Sequence, residues 1–248
     1  MGGAESREAH QKIHKASLDG VTFPKTLELN YDPSWKKLKL SLDHGSQSLY
    51  MFNLPQGWWG DLIMYNGPTL DSPPLAAVRN SGKTAMGNVV TLPPLGPGQE
   101  VIEEKMSRRT KRFMDLYSFT VPVPQREGEK TTRRVERFEW VGTGGKEVKD
   151  LHEWVRGWKL RRVVESYADA YAGSDDEKDD DDGDVSTYEN TDGEILAVWA
   201  DATGLSKKAA KFEFINSGAT GELGEAWAVM AVITFVRVWQ RYMQVVMV

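Results

Sequence analysis

The sequence contains no cysteine, only four histidines and a single extended apolar run. Without a thiol, this chain has no disulfide framework, no cysteine-based zinc site and no thiol catalysis, which fits a reducing compartment. The histidines, His10, His14, His44 and His152, are scattered and do not form an HExxH motif. We therefore expect a cytoplasmic protein with neither a bound metal nor another cofactor.

The beginning of the chain, MGGAESREAHQKIHK, lacks the apolar core of a secretory signal and carries acids that a transit peptide avoids. Because the segment to about Gly20 is polar, we predict a flexible tail or loose helix over residues 1–20 with little reason to pack. MGGAES also matches M-G-x-x-x-[ST], which makes Gly2 a candidate for N-myristoylation. A single acyl chain binds membranes only marginally, so it would need a second signal.

Acidic residues are concentrated in Ser174 to Asp184, where eight acids accompany Lys178. Such a run repels itself and has nothing to bury, so we predict a mobile acidic loop inside one domain. The overlapping stretch KDDDDGDVSTYE has the spacing of a calcium loop, but Lys178 occupies the first ligand position and no helix pair flanks it. We therefore favour a solvated acidic loop over a calcium site.

Short apolar runs recur about every ten residues from Val21 onward, as in an all-β barrel or sandwich. In KKLKLSL, Leu38, Leu40 and Leu42 alternate with polar residues, which predicts one buried and one wet face. The other runs are SLYMFNL, DLIMYNG, PLAAVRN, NVVTL, LYSFTVPV, RVERFEWVG, GWKLRRV, EILAVWAD and AKFEFIN. The segments NGP, DSPP, NSGK, PPLGPG and GTGG separate them and predict turns.

The C-terminal segment EAWAVMAVITFVRVWQRYMQVVMV is apolar on every helical face, which requires a buried helix. Its uncharged run from Ala226 to Val236 spans about 16 Å before Arg237, too short for a membrane span of about 20 residues. A surface helix would leave a broad apolar patch in water. A barrel of eleven or twelve strands has room for a helix. We predict one mainly-β domain over residues 21–248, a closed antiparallel barrel around a helix from about Glu222 to Tyr242.

A set of motifs between about Thr22 and Tyr242 resembles the fungal tubby C-terminal-like proteins, relatives of the LURP-one-related and phospholipid-scramblase folds. The motifs are FNLPQGWWGDLIMYNGP, DSPPLAAV, FEWVG, GWKLRRV, ILAVWAD and GELGEAWAVMAVITFVRVWQRY. This resemblance implies a twelve-stranded antiparallel barrel threaded by a hydrophobic C-terminal helix. Tubby domains proper bind phosphatidylinositol bisphosphate through surface Lys and Arg, and scramblase relatives work at membranes. Membrane-lipid binding is therefore expected by analogy with the family.

No sequence motif indicates a reaction. NSGKT lacks the first glycine of a phosphate-binding loop, and GTGGKE lacks both the fingerprint spacing and a following helix, so both predict turns. The chain has no G-x-S-x-G elbow and no paired carboxylates in surroundings that would shift their acidity. The sequence therefore favours a protein that is not an enzyme.

Basic residues form two clusters, KMSRRTKR from Lys105 to Arg112 and KTTRRVER from Lys130 to Arg137. On barrel strands they would present cations that could pair with phosphate groups of a lipid, and a solubilising exterior is the alternative interpretation. Nucleic acid is not expected, because the net charge is -5 and no aromatics are interleaved with these cations. The candidate phosphate-binding residues are Lys105, Arg108, Arg109, Lys111, Arg112, Lys130, Arg133, Arg134 and Arg137.

Two functional hypotheses follow from these patterns. The first is a non-enzymatic binding or adaptor module, with anionic membrane lipid or a protein as its partner, at the cytoplasmic membrane surface. The second is a barrel that binds or transforms a small apolar molecule at its mouth, near Trp58 and Trp59. An open pocket lined by polar groups would favour the second hypothesis, and a filled lumen would favour the first.

Overall fold

The computed structural model describes residues 2–31, 39–81, 87–111, 114–127, 130–151, 156–163, 193–202 and 208–246. The predicted acidic loop at 174–184, the calcium-like stretch and His152 lie outside these ranges. Predictions about those residues stay predictions.

Twelve antiparallel strands form a closed barrel, in which each strand pairs with its neighbours in the chain and β1 pairs with β12. This confirms the predicted fold class. The strands are β1 (Thr26–Tyr31), β2 (Lys39–His44), β3 (Gln47–Asn53), β4 (Leu62–Tyr65), β5 (Pro74–Ser81), β6 (Gly87–Leu92), β7 (Ile102–Lys111), β8 (Met114–Glu127), β9 (Lys130–Thr143), β10 (Gly157–Arg162), β11 (Ile195–Asp201) and β12 (Lys208–Phe214).

The apolar alternation in the sequence corresponds to the pleat of the strands. In β2, Leu40 and Leu42 are buried, while the alternating residues Lys39, Ser41 and Asp43 are partly exposed. Each of the ten quoted apolar runs overlaps a strand, and β1 and β7 are the two strands that those runs did not include. The apolar pattern did not identify β7 as a strand, because its ten residues contain only Ile102 and Met106 as apolar side chains.

The C-terminal helix α3 extends from Gly224 to Val246, so it begins two residues later and ends four residues later than predicted. Every residue from Val229 to Gln240 has an exposed fraction of 0%. A stretch of that length makes more than three helical turns, so all faces of the helix are covered. The helix therefore lies inside the barrel, and its side chains form the core together with the inward residues of the strands.

Aromatic side chains and one buried hydrogen bond fix the position of α3. Trp227 contacts Phe138 at a ring-centroid distance of 6.0 Å near one end of the helix. Near the other end, Trp239 contacts Tyr31 at 5.5 Å. Between them, Trp140 on β9 donates from its Nε1 to Thr234 Oγ1 at 2.9 Å. This bond ties the middle of the helix to the wall of the barrel.

Thr234→Val is expected to lower the free energy of unfolding by about 1 to 3 kcal/mol, because the substitution conserves shape but removes the acceptor of the buried indole N–H. Thr234 itself has an exposed fraction of 0%, so water does not replace the lost partner. Urea denaturation measures the change, with Thr234→Ser as the control that keeps a hydroxyl. Equal stability of the Val and wild-type proteins would contradict the prediction.

Connections alternate between the two ends of the barrel, because neighbouring strands are antiparallel. The helix α3 starts at the end that holds residues 66–73, 93–101 and 215–223, which we name the entry end. It finishes at the exit end, which holds residues 54–61 and the last turns of α3 from Arg237 onward.

The helix α1, Gly2–Ile13, packs on the outside of the barrel. Ala9 and Ile13 are buried against Ile63, Tyr65 and Ala77, and Glu5 Oε1 accepts from Asn53 Nδ2 at 2.6 Å. The prediction that this segment has little reason to pack is therefore wrong. Two apolar side chains one turn apart suffice because the outward residues of β4 and β5 are also apolar.

A short helix, α2, extends from Lys146 to Leu151 and buries Val148. The prediction that GTGGKE forms only a turn is therefore wrong at its end, where the chain enters a helix instead. None of the described helices is long and apolar enough to cross a membrane.

Candidate functional site

The lumen of the barrel is filled by α3, so the predicted mouth near Trp58 and Trp59 does not open into it. The indole of Trp58 packs on Trp239 at a centroid distance of 5.6 Å, and its carbonyl accepts from Gln240 Nε2 at 2.7 Å. Trp58 therefore helps to close the exit end. Trp59 points into solvent, with 63% of its surface exposed.

A cleft of about 580 Å³ lies outside the barrel, between α1 and residues 70–74. Its lining carries both charge signs, with Glu5, Glu8 and Asp71 as acids and Lys12 and Lys15 as bases, and Glu8 pairs with Lys12 at 2.7 Å. Across the described ranges, no group of three or more acidic or histidine side chains is placed to hold a metal ion. The cleft has no set of convergent groups that would favour one ligand class.

The first basic cluster is divided between two sides of the barrel wall. Met106 points into the core, so the odd-numbered residues of β7, including Lys105 and Arg109, point outward. Arg108 is opposite the buried Tyr117 and points the other way. It forms a two-point ion pair with Asp115, at 3.0 and 2.9 Å. Arg108 therefore does not share the outward side of β7 with Lys105 and Arg109.

The second basic cluster is divided in the same manner. Phe138 and Trp140 point into the core, which places Arg133 and Arg137 on the outward side of β9. Arg134 is opposite the buried Val123 and lies on the other side of the hairpin. The side chains of Lys111 and Lys130 and the whole of Arg112 fall outside the described part of the chain.

Lys105, Arg109, Arg133 and Arg137 share the outward side of the adjacent strands β7 to β9, and we name these four residues the basic face. Among the described residues, none of the four forms an ion pair. Nearby acids already have other partners, as in Glu139 with Arg161 at 2.8 Å and Glu103 with Arg79 at 3.5 Å. The basic face therefore carries an excess of positive charge.

The lipidation candidate Gly2 begins α1, one turn before Ser6. The Ser6 hydroxyl donates to Asp61, which belongs to the exit end. The start of α1 therefore lies near the exit end, on the outside of the barrel. Acylation of Gly2 stays a prediction.

The structure also forms a buried cluster that the sequence analysis did not identify. The cluster contains Arg237 and Arg241, one turn apart on α3, of which the sequence analysis considered Arg237 only as the end of the uncharged run. Arg237 has an exposed fraction of 0% and donates from Nε to Asn88 Oδ1 and from Nη1 to Gly60 O, each at 2.8 Å. Arg241 donates from Nη2 to Asn80 Oδ1 at 2.7 Å. The recurrence of Arg and Gln every fourth residue was the available signal.

Burial lowers the pKa of Arg237 to about 9, and the charge of Arg241 acts in the same direction. Arg237 therefore remains protonated at neutral pH, and burial lowers the pKa of Arg241 as well. Burial also raises the pKa of the Tyr117 phenol, while Arg108, Arg241 and Arg237 favour its charged form.

Comparisons with protein-family models, with curated proteins and with solved structures found no match for this chain. The tubby-like assignment stays a prediction, whereas the barrel and its central helix are features of the structure.

Proposed function

We propose that this protein is a non-enzymatic binding module that docks on an anionic phospholipid surface at the cytoplasmic side of a membrane. The observation that supports this function is the basic face, where Lys105, Arg109, Arg133 and Arg137 point outward without an ion-pair partner in the described residues. Surface cations without an ion-pair partner on one side of a sheet match the charge of a lipid headgroup layer, and the one hydrogen bond given for Arg133 is to a neutral acceptor, Leu95 O, at 3.4 Å.

The spacing of these cations fits a surface better than a single small ligand. Arg133 and Arg137 are four residues apart on β9, or about 13 Å at 3.3 Å per residue. Each cation near an anionic membrane contributes about 1 kcal/mol, so binding needs several at once. Val135 lies between the two arginines on the same side and is 61% exposed, which adds an apolar contact.

The competing hypothesis of a small apolar ligand in the barrel mouth receives less support. Arg237, Gln240 and the core residues of α3 occupy the lumen with exposed fractions of 0%. The cleft beside α1 is lined by charged groups and lies away from Trp58 and Trp59. A filled lumen favours a protein that works through its outer surface.

Replacing both Arg133 and Arg137 by Ala is expected to weaken binding to anionic vesicles by roughly thirty-fold, since two contributions of about 1 kcal/mol are lost. Co-sedimentation with vesicles containing phosphatidylserine or phosphoinositide measures the change. Arg134→Ala is the matched control, because Arg134 has the same charge on the same strand but lies on the other side of the hairpin.

Vesicles of phosphatidylcholine alone give the baseline, and salt distinguishes electrostatic docking from insertion. Binding should fall as salt rises, because exposed charges are screened with a Debye length of about 8 Å at physiological ionic strength. The wild-type protein with its native N-terminus should bind anionic vesicles at low salt. A protein that stays in the supernatant under that condition would overturn the proposed function.

A further inference from the structure

The helix α1 is attached to the barrel through a small contact that is separate from the main core. Its buried apolar side chains, Ala9 and Ile13, belong to a minor cluster outside the barrel, whereas the main core lies inside it. A hydrogen bond from Asn53 to Glu5 at 2.6 Å adds to this contact. A helix of 12 residues is only marginally stable alone in water, so α1 depends on its docking.

The chain rejoins the main core soon after α1 ends. Leu18 and Val21 are both buried and pack in the main core. The amide of Val21 donates to the carbonyl of Leu18 at 3.1 Å, which closes the turn between them. Residues 2–17 can therefore leave the barrel while its strands and α3 stay packed, a local opening of the kind that small peripheral contacts permit.

The surface beneath α1 is apolar, although it lies on the outside of the barrel. Ile63 and Tyr65 on β4 and Ala77 on β5 are buried there, and we name these three residues the covered patch. Release of α1 would expose the covered patch to water, so the position of this helix decides whether the barrel presents an apolar outer surface.

His10 places a titratable ring in the contact between α1 and the barrel. The residue is half-buried, and its Nε2 atom is shielded from solvent with no hydrogen-bond partner in the described part of the chain. A charged imidazole carries a proton on both of its nitrogens. Protonation of docked His10 therefore leaves a buried N–H donor without an acceptor, which is unfavourable.

The charges around His10 do not reverse this preference. Burial lowers the pKa of His10 and is the largest effect on it. Asp61 and Glu103 on the barrel act in the opposite direction, while Arg79 on the barrel and His14 on α1 itself act in the same direction as burial. Glu103 is also engaged with Arg79 at 3.5 Å. The docked helix therefore favours the neutral ring.

We propose that α1 is a pH-sensitive strap, which leaves the barrel when His10 takes up a proton and uncovers the patch on β4 and β5. In the released segment, the pKa of His10 returns to its ordinary value of about 6.5. Docking is therefore undiminished above this pH and weakens as the pH falls below it, because the released state binds the proton more strongly. The strap shares no residue with the basic face, so it does not depend on membrane docking.

The absence of cysteine makes the strap directly testable, because a single introduced thiol is unique in the chain. Ala9→Cys reports release, since Ala9 is buried beneath the helix. Ala4→Cys, at an exposed position of the same helix, gives the reactivity of a free thiol at each pH. Ala197→Cys lies in the main core and reports unfolding of the barrel. Each full-length variant is treated with dithiodipyridine between about pH 7.5 and pH 5.5, above the usual range of carboxylic acids.

The reaction rate of Ala9→Cys, divided by that of Ala4→Cys, should stay nearly constant down to about pH 6.5 and rise below it. The rise should not exceed about ten-fold per pH unit, the limit for uptake of one proton. Ala197→Cys should remain unreactive. A ratio that does not change with pH, or a thiol at position 197 that becomes reactive in parallel, would overturn the strap.

Two histidine variants identify the responsible group. His10→Gln should abolish the pH dependence of the ratio, whatever its level at neutral pH. His14→Gln, an exposed histidine one turn later on the same helix, should keep the rise. A rise that persists in His10→Gln would refute the role of His10.

Hydrogen exchange of the unmodified protein checks the strap without an introduced thiol. The protection factors of the α1 amides should fall below about pH 6.5, while those of β11 should not. Amides of α1 that remain as protected at low pH as at neutral pH would contradict release of the helix.

Discussion

Val232→Asp is expected to prevent folding of the barrel, the largest effect that we predict for a single substitution. Val232 has an exposed fraction of 0% and lies in the middle of α3, surrounded by the apolar core. An unpaired carboxylate there must lose its hydration or take up a proton, and either costs several kcal/mol. Because domains are stable by only about 5 to 15 kcal/mol, one such charge suffices to unfold this one.

The matched control is Val245→Asp, the same change on the same helix. Val245 is 75% exposed, so we expect its substitution to alter stability by no more than about 0.5 kcal/mol. Yield after expression and far-UV circular dichroism compare the two variants. A monomeric Val232→Asp protein with an unchanged spectrum would show that α3 is not enclosed as described.

Arg237→Ala is expected to lower the free energy of unfolding by about 3 kcal/mol, the second largest effect. The side chain is fully buried and donates to Asn80, Asn88, Gly60 and Gln240. Its removal leaves a cavity and weakens the link between α3 and the connection at 54–61. Removal of Arg237 also relieves its repulsion with Arg241, which offsets part of this loss. We therefore expect a smaller loss of unfolding free energy than for breaking a buried ion pair.

Arg241→Ala is the comparison for this prediction, since Arg241 follows one turn later and contacts the same two asparagines. Because Arg241 is only half-buried, we expect its truncation to cost about 1 kcal/mol. Guanidinium denaturation of both variants gives the two values. An Arg237→Ala protein at least as stable as wild type would contradict the conclusion that Arg237 holds α3 to the exit end of the barrel.

Sequence patterning predicted the barrel and its central helix because both depend on local chemistry. Alternation at Leu40 and Leu42 requires that one face of the strand is buried. The apolar run from Ala226 to Val236 requires that all faces of the helix are buried. Packing of α1 was missed because Ala9 and Ile13 alone give a weak apolar stripe. The apolar outer sides of β4 and β5, which receive them, are recognisable only once the strands are assembled.

For the candidate sites as well, the sequence predicted one part and only the assembled strands decided the other. Pleating alone requires that Arg108 and Arg109 point to opposite sides, but only the pairing of Arg108 with the buried Tyr117 decides which one faces inward. The sequence could therefore predict that these segments are rich in cations, but not which of the cations share one side of the barrel.

By itself, the sequence determined that the chain forms strands, that its last helix must be enclosed and that cations occur in two clusters. These properties follow from hydrophobicity and spacing within short segments. Only the tertiary structure decided that Asn80 and Asn88 meet Arg237, because those contacts join residues 157 and 149 positions apart. Closure of the barrel brings these distant residues into contact, and no pattern within a short segment predicts such contacts.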